Sequence, residues 1–384
     1  MDITVQPRLL QGKITAIPSK SQAHRLLICA AFADRKTELL CPQTNRDMEA
    51  TADCLRALGA KIEYTGNGYT VEPIKEIAGS AVLNCCESGS TLRFMLPIVG
   101  ALGVDATFQM AGRLPQRPLS PLWEEMERMG CRLERPTSDT IRCTGKLKPG
   151  KYTIDGSVSS QFITGLLFAQ ALLGGETELE IIGKVESRPY IEMTRQALER
   201  FRAPNFKTPG KITVEGDWSN GAFFLAAKAM GSDLDILGLD ENSPQGDRLI
   251  IEILSILKSG SATIRVADIP DLVPILSVFA AVNHGASFFD IGRLRLKESD
   301  RVATVIQMIT ALGGNACADE NTLYIRGTGL RGGIVDSCND HRIAMAAAIA
   351  ATACTTPVTI LGADSVNKSY PHFWEEYRRL GGKL

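Results

Sequence analysis

Short polar segments alternate with strongly apolar runs six times along the chain. Each polar segment contains Ser, Asp or Asn, which are the residues that cap helices, and the run that follows is apolar at nearly every position. A helix that is apolar all round is buried rather than half-exposed. The pattern therefore predicts six buried helices, which span 26–33, 92–102, 162–173, 220–230, 272–281 and 343–351.

A second kind of helix is interleaved with the first. Six amphipathic segments tend to end at a Gly, and they span 47–60, 122–131, 190–203, 247–260, 300–314 and 373–382. Pairs of short alternating strands follow several of them, at 61–64 with 69–72, 131–134 with 140–143, and 315–318 with 323–326. A buried helix, a surface helix and strands together make a unit of roughly 60 residues. The predicted fold class is therefore α/β.

Six such units indicate two domains of three units each. We assign residues 18–217 to an N-terminal domain and residues 218–384 to a C-terminal domain, in agreement with a length too great for one ordinary domain. The first residues are strand-like at 4–6 and 13–15, and they have no partner unit in the N-terminal domain. We therefore add residues 1–17 to the C-terminal domain and expect their strands to complete a sheet there.

The composition excludes several classes of protein. The 384 residues are 44% hydrophobic and 22% charged, and 42 Lys and Arg balance 43 Asp and Glu, so nothing favours nucleic acid or a membrane as a partner. No apolar run reaches the length of a membrane span and no signal segment begins the chain, which predicts a cytoplasmic protein. The ten Cys are scattered without a CxxC pair, which predicts reduced thiols and no metal. We expect no cofactor and a monomer.

The first buried helix begins with a cation. Ser19 or Ser21 is the predicted N-cap, so Lys20 lies in or beside the first turn, where the helix dipole disfavours positive charge by roughly 0.3–1 kcal/mol. A Lys there, with Arg25 close by, makes sense if an anion binds at the helix start. For this segment alone, a solvated Lys on a loop is the alternative.

Cations recur at other helix starts and in loops. Arg93 lies early in the second buried helix, Ser residues and Gln161 begin the third, and His341 and Arg342 begin the sixth. The loops that carry further Arg and Lys are 112–118, 293–301 and 367–371. Helix N-termini, hydroxyls and guanidinium groups are what phosphate and carboxylate oxygens require. In a chain of net charge −1, this clustering predicts small substrates with several negative charges.

Two carboxylates lie among these cations. Glu298 is adjacent to Lys297, and Asp271 precedes the fifth buried helix, so either could exchange a proton beside an anionic substrate. Glu298 could instead be only a salt-bridge partner, and Asp271 could equally be a helix N-cap. A GxGxxG match at 327–332 is dismissed as a dinucleotide site, because residues 333–336 are predicted to form a strand rather than a helix.

The motifs of the whole chain resemble those of the 5-enolpyruvylshikimate-3-phosphate (EPSP) synthases, which are enolpyruvyl transferases. They occur in family order at 17–25, 87–93, 116–119, 159–162, 188–190, 214–219, 269–271, 296–301, 340–345 and 368–371. The resemblance implies two domains, each made of three repeated βαβαββ-type units with buried parallel helices, the arrangement called an inside-out α/β barrel. It also implies that the substrates bind in the cleft between the domains, which closes on them.

The resemblance further implies an activity and its residues. Enolpyruvyl would pass from phosphoenolpyruvate to the 5-hydroxyl of shikimate 3-phosphate, with release of phosphate, in aromatic amino acid biosynthesis. Asp271 would be the base, Glu298 would exchange the proton at carbon, and Lys20 would also be catalytic. The residues implied for shikimate 3-phosphate are Lys20, Ser21, Arg25, Ser159, Ser160, Ser187, Asp271 and Lys297. Those implied for phosphoenolpyruvate are Lys20, Gly89, Arg117, Gln161, Arg301, Arg342 and Lys368. We expect Lys20 to lack a compensating anion until phosphoenolpyruvate binds.

Two other functions are weighed against this one. The sister enzymes transfer enolpyruvyl to UDP-N-acetylglucosamine, and they usually have a Cys before the Arg-Pro pair and an Asn after the N-terminal Lys. Here Gly112 and Ser21 occupy those positions. A non-catalytic anion-binding protein of the same fold would tolerate loss of Asp271 and Glu298, yet both are present. Arg188 and Arg293 depart from the residues commoner in the family, which leaves substrate contacts there undecided.

Overall fold

The computed structural model describes all 384 residues. Buried helices and amphipathic helices alternate along the chain. The α-helices are α1 (Lys20–Ala31), α2 (Arg46–Ala57), α3 (Gly89–Leu102), α4 (Leu122–Arg128), α5 (Ser160–Leu173), α6 (Arg188–Arg200), α7 (Trp218–Ala229), α8 (Ile250–Ser259), α9 (Val273–Val282), α10 (Arg301–Ala311), α11 (His341–Ala350) and α12 (Phe373–Arg379). Short 3₁₀ helices span Leu114–Gln116, Gly246–Leu249, Gly292–Leu296 and Ala363–Lys368.

The strands are short and lie between the helices. They are β1 (Ile3–Val5), β2 (Gln11–Thr15), β3 (Thr37–Leu40), β4 (Lys61–Tyr64), β5 (Gly68–Glu72), β6 (Ser80–Asn84), β7 (Asp105–Gln109), β8 (Cys131–Glu134), β9 (Thr140–Gly145), β10 (Lys151–Asp155), β11 (Glu178–Ile182), β12 (Lys211–Thr213), β13 (Asp233–Leu237), β14 (Ala262–Arg265), β15 (Ala286–Phe289), β16 (Asn315–Ala318), β17 (Thr322–Arg326), β18 (Gly333–Asp336) and β19 (Val358–Leu361).

The predicted helices are all present. Helices α1, α3, α5, α7, α9 and α11 correspond to the six apolar runs and are buried over most of their length. The amphipathic segment predicted at 247–260 begins as the 3₁₀ helix Gly246–Leu249 and continues as α8. Ser19 is the N-cap of α1, since its hydroxyl accepts a hydrogen bond from the Gln22 amide at 3.4 Å, so Lys20 is the first helical residue.

The predicted strand pairs are confirmed as well. Strands β4 and β5, β8 and β9, and β16 and β17 form antiparallel pairs. The N-terminal strands also pair with distant partners: β1 is antiparallel to β19, and β2 is parallel to β13. The segment after the GxGxxG match is strand β18, which removes the context that a dinucleotide site requires.

Each of the six sheets contains one parallel strand pair. Three sheets have four strands, in the orders β12-β3-β5-β4, β6-β7-β9-β8 and β14-β15-β17-β16, and in each the parallel pair comes first. The other three are β1-β19-β18, β10-β11 and β13-β2. A parallel pair needs a crossover connection, which in this chain usually contains a buried helix.

Contacts divide the chain into two compact units. The continuous unit is Pro18–Glu215, and the discontinuous unit combines Met1–Ile17 with Gly216–Leu384. Each has its own hydrophobic core, to which α1, α3 and α5 contribute in the continuous unit and α7, α9 and α11 in the discontinuous unit.

The buried helices α3 and α5 meet at their N-terminal ends. In the continuous unit the Gln161 amide at the start of α5 donates to the Ser90 hydroxyl at the start of α3, at 2.9 Å. One turn further on, a Cβ added to Gly165 would collide with the Arg93 carbonyl, so glycine lets these two helices run side by side in close contact. The backbone amides of these two helix starts are thereby brought to one region, which favours anions.

Candidate active site

Arg301 is the centre of a cluster of charges in the discontinuous unit. Asp300 caps α10 by accepting from the Val302 and Ala303 amides, so Arg301 is the first helical residue. Its guanidinium donates to three carboxylates: Nη1 to Asp271 Oδ1 at 2.6 Å, Nη2 to Glu298 Oε2 at 2.6 Å and Nε to Asp340 Oδ2 at 2.9 Å. The Arg301 side chain is only 1% exposed, so these bonds form in a region of low dielectric.

Asp271 accepts from cations and does not cap α9. The helix begins at Val273, and the residue at the cap position, Leu272, makes no side-chain capping bond, so the N-cap interpretation of Asp271 is wrong. Its Oδ2 instead accepts from Arg342 Nη2 at 3.0 Å, and Lys297 Nζ lies 3.5 Å from its Oδ1.

These cations control how Asp271 ionises. Burial acts to raise the pKa of Asp271, but the charges of Arg342, Lys297 and Arg301 outweigh it and hold that pKa well below its usual value. Burial lowers the pKa of Lys297 to about 8, against the opposing effect of Asp271. At neutral pH, Asp271 is therefore a carboxylate and Lys297 is still mostly protonated.

Arg342 and Lys368 complete the set in the discontinuous unit. Arg342 is the second residue of α11, whose N-cap, Asp340, accepts from its backbone amide at 3.0 Å. Asp340 therefore serves both as a helix cap and as a partner of Arg301. Lys368, at the end of a 3₁₀ helix, donates from Nζ to the Asn339 carbonyl at 2.7 Å, beside the same helix start.

Lys20 has an acidic partner in the continuous unit. Its Nζ donates to Asp47 Oδ2 at 2.7 Å, and the two side chains are 15% and 16% exposed. The expectation of a cation without a compensating anion is thus wrong. Asp47 lies in the first turn of α2, where the helix dipole favours a carboxylate, and the ion pair offsets the cost of a Lys at the start of α1.

Arg25 is buried within the continuous unit. Its Nε donates to the Thr194 hydroxyl at 2.8 Å, Nη2 to the Tyr190 carbonyl at 2.9 Å, and Nη1 to the Ser21 carbonyl at 2.6 Å. Burial lowers the pKa of Arg25 to about 10, so the group stays charged at neutral pH. The side chain joins α1 to α6, and most of its donors are used by the protein.

Three of the predicted phosphoenolpyruvate residues of this unit, namely Gly89, Arg117 and Gln161, lie around the start of α3. Ser88 caps the helix, and Gly89 is its first residue. A Cβ added to Gly89 would lie 2.5 Å from Arg117 Nη1 and 2.7 Å from Arg93 Nη1, so both guanidinium groups lie against its backbone. Arg93 Nη1 also donates to Gln161 Oε1 at 2.8 Å, which joins Gln161 to the group.

The four predicted Ser residues lie at three helix starts, and Ser21 is the second residue of α1. Ser159 caps α5, and its hydroxyl accepts from the Gln161 amide at 3.3 Å; Ser160 is the first residue of that helix and is buried. Ser187 precedes α6 in a left-handed conformation, with φ of 54°, and its side chain makes no capping bond. Its hydroxyl therefore does not serve the helix start.

A sequence model of the EPSP synthases (3-phosphoshikimate 1-carboxyvinyltransferases) matches residues 5–377 of this chain. The chain belongs to the EPSP synthase family. A 3-phosphoshikimate 1-carboxyvinyltransferase of Clostridium kluyveri is 36% identical, over 100% of this chain and 98% of that protein, and one of Clostridium novyi is 36% identical over 99% and 98%. A solved EPSP synthase of Acinetobacter baumannii has a similar fold, with a TM-score of 0.79 and 23% identity over 99% of this chain and 98% of that one.

Three acidic residues of this EPSP synthase family member have partners that no sequence pattern predicted. Asp47 pairs with Lys20, Asp340 pairs with Arg301, and Asp247 accepts from the Ser219 hydroxyl. Each lies near a helix start, where acidic residues are common for the sake of the dipole alone. The helix dipole is therefore sufficient to explain an acidic residue at each position. The pairing with a distant partner leaves no local signal in the sequence, so it could not be predicted.

No helix of the chain is long and apolar enough to cross a membrane. No group of three or more His, Cys, Asp and Glu side chains is arranged so that it could hold a metal ion.

Proposed function

We propose that this protein transfers the enolpyruvyl group of phosphoenolpyruvate to the 5-hydroxyl of shikimate 3-phosphate and releases phosphate, as a step of aromatic amino acid biosynthesis. The observation that carries the proposal is the cluster in which one buried guanidinium, that of Arg301, binds both Asp271 and Glu298. Membership of the EPSP synthase family supports it, as do relatives whose name states this activity.

The reaction needs an acid, a base and several cations. A proton is added to the methylene carbon of phosphoenolpyruvate, the substrate hydroxyl adds to the resulting cationic carbon, and the adduct then loses phosphate and a methyl proton. We assign the proton at carbon to Glu298 and the hydroxyl proton to Asp271. Lys20 assists catalysis by neutralising charge on the phosphate that leaves.

The other substrate-binding residues are assigned by the chemistry of their side chains. Shikimate 3-phosphate would be held by Lys20, Ser21, Arg25, Ser159, Ser160, Ser187, Asp271 and Lys297, and phosphoenolpyruvate by Lys20, Gly89, Arg117, Gln161, Arg301, Arg342 and Lys368. These proposed sets draw on both units. Hydroxyls and helix starts suit phosphate oxygens, and Arg side chains suit the carboxylate and phosphate of phosphoenolpyruvate.

Substrate anions must compete with carboxylates of the protein. Arg301, Arg342 and Lys20 all donate to Asp or Glu side chains in the structure. When phosphoenolpyruvate takes over part of that positive charge, the pKa of Asp271 rises from its lowered value and the carboxylate becomes a better base. Substrate binding would thus turn a charge-paired Asp into the base that the reaction needs.

Gly89→Ala is expected to raise the KM for phosphoenolpyruvate at least tenfold while kcat changes less. The added methyl group would displace the Arg117 guanidinium, which lies 2.5 Å from the Cβ position, and it would cover backbone that an anion approaches. Gly79→Ala is the matched control, because no atom lies within 4 Å of its Cβ position. Steady-state kinetics with varied phosphoenolpyruvate measure both, and an unchanged KM in Gly89→Ala would remove Gly89 from the site.

We also propose that each unit consists of three repeated βαβαββ-type units, with the buried helices parallel, as in an inside-out α/β barrel. The recurrence of one parallel strand pair in each of the six sheets supports this repeat. So does the contact between the first turns of α3 and α5. The domains would then be 18–217 and 1–17 with 218–384.

The transfer to UDP-N-acetylglucosamine is the second candidate. Gly112, at the position where those enzymes usually have Cys, has a φ of +57°, and an added Cβ there would collide with the Glu87 carboxylate. A Cys at this position would therefore be both strained and obstructed. This observation favours shikimate 3-phosphate as the acceptor.

The assay that separates the two candidates is phosphate release by the purified protein. With phosphoenolpyruvate present, we expect release when shikimate 3-phosphate is added and none when UDP-N-acetylglucosamine is added. Release with the second acceptor alone would replace the proposed function by its rival. Release with neither would leave a non-catalytic anion-binding protein.

A further inference from the structure

A buried carboxyl group of the discontinuous unit has no part in the reaction proposed above. Asp247 is 2% exposed and lies in the 3₁₀ helix Gly246–Leu249. Its Oδ2 accepts a hydrogen bond from the Ser219 hydroxyl, whereas its Oδ1 is buried and accepts none. A buried carboxyl oxygen without a partner is costly, so the bond to Ser219 alone does not explain an acidic residue here.

The segment that contains Asp247 holds the first turn of α7. The Gln245 side chain accepts from the Trp218 amide at 3.0 Å and donates to the Gly216 carbonyl at 2.8 Å. Together with the bond between Ser219 and Asp247, this attaches the segment at three neighbouring points of the helix start. The position of the Ser219 backbone therefore depends on residues 245–247.

The Ser219 backbone in turn contacts Arg342. Its carbonyl accepts from Arg342 Nη1 at 3.4 Å, while Arg342 Nη2 donates to Asp271 Oδ2 at 3.0 Å. One edge of the guanidinium is thus shared between the start of α7 and the proposed catalytic base. A series of contacts runs from Asp247 through Ser219 and Arg342 to Asp271.

We propose that Asp247 is a positioning residue, which acts through Ser219 to fix the position of the Arg342 guanidinium beside Asp271. The proposal rests on the function proposed above, in which Arg342 binds phosphoenolpyruvate and Asp271 is the base. Asp247 touches neither substrate in this account. It fixes the direction of the Arg342 guanidinium, which binds phosphoenolpyruvate.

The ionisation of Asp247 makes this role depend on pH. Burial, followed by the charge of Asp271, raises the pKa of Asp247 to about 7; Asp217 acts in the same direction, while Arg342 and the Ser219 hydroxyl oppose it. Below that pH Asp247 is mostly neutral, so it does not neutralise the positive charge of Arg342, and that charge remains available to bind the substrate. Above it, a second anion beside Arg342 attracts the guanidinium and repels phosphoenolpyruvate.

The test compares three single variants and one double variant by steady-state kinetics. In Asp247→Ala and in Ser219→Ala, we expect the KM for phosphoenolpyruvate to rise about tenfold at pH 6.5 while kcat stays within about threefold, because one buried hydrogen bond is lost. In Asp247→Asn the amide oxygen still accepts from Ser219, so the KM should remain that of the unaltered protein. The double variant Asp247→Ala with Ser219→Ala should be no worse than either single one.

The pH profile separates positioning from a structural role. Between pH 6 and 8.5, kcat/KM for phosphoenolpyruvate should fall more in the unaltered protein than in Asp247→Asn, which cannot ionise. The substrate phosphates also titrate near pH 6, but they do so equally for both proteins, so the ratio of the two profiles reports Asp247 alone.

Glu125→Ala is the matched control for the loss of a buried carboxylate. Glu125 is 7% exposed, and it accepts from Arg128 and from the Thr153 amide in the continuous unit. This variant should have a lower Tm and an unchanged KM. Two results would overturn the role of Asp247 and leave the proposed function intact. One is an unchanged KM in both Asp247→Ala and Ser219→Ala, and the other is identical pH profiles of Asp247→Asn and the unaltered protein. An unaltered protein that releases no phosphate would overturn the proposed function together with it.

Discussion

Turnover by Glu298→Gln is expected to fall roughly a thousandfold below that of the unaltered protein. Gln has nearly the same shape as Glu, and its amide oxygen can accept the hydrogen bond that Arg301 Nη2 gives to Glu298 Oε2 at 2.6 Å. The amide has no acidic proton at neutral pH, so the variant removes the proton transfer at carbon together with one negative charge beside Arg301, and it keeps the shape of the side chain. Phosphate release at saturating concentrations of both substrates measures the loss.

Two further measurements give this result its meaning. Glu320→Gln, an exposed residue in the turn before β17, is the control and should keep full activity. Both substrates should still raise the Tm of Glu298→Gln, because the cations that bind them are retained. If Glu298→Gln kept more than a tenth of the activity, Glu298 would not be the group that exchanges the proton.

The fold could be predicted to a large extent because each helix has its own local signal. The apolar runs of α9 and α11 can only be buried, and the caps Ser19 and Ser88 mark where helices begin. Strand β1 is a different case. The sequence predicted only that it completes a sheet of the C-terminal domain, because it has no partner unit in the N-terminal domain, and nothing local indicated β19 as its neighbour.

The candidate site could be predicted only in part, because its pairings join helix starts that are far apart in sequence. Lys20 and Asp47 come from different helices, as do Arg301 and Asp340, and neither pair has a characteristic spacing. Asp271 shows the limit most clearly. A carboxylate before a helix is the usual sign of an N-cap, and only the positions of Arg301 and Arg342 in space show that it serves them instead.

Arg301→Met is expected to lower the free energy of unfolding by about 3–5 kcal/mol at pH 7. Removing the guanidinium leaves carboxylates without their partner in a buried place, since Arg301 is 1% exposed and Asp340 is fully buried. Met has a similar length and no charge, so most of the loss should be electrostatic. Arg295→Met is the control in the same region: Arg295 pairs with Asp300 at 3.6 Å, both side chains are more than a third exposed, and less than about 1 kcal/mol should be lost.

The pH dependence of the lowered free energy of unfolding shows whether the loss is electrostatic or due to packing. Burial acts to raise the pKa of Asp271 and of Asp340, but the neighbouring cations, Arg301 among them, hold both below their usual value. A carboxyl group with a lowered pKa stabilises the folded protein above the unfolded pKa of about 4, and that contribution is lost as the pH falls through the folded value. Without Arg301 both pKa values rise. As the pH is lowered, the two carboxyl groups therefore become protonated at a higher pH in the folded variant than in the unaltered protein. Urea denaturation should therefore show a smaller difference between Arg301→Met and the unaltered protein at pH 4.5 than at pH 7, whereas an equal difference at both would assign the loss to packing.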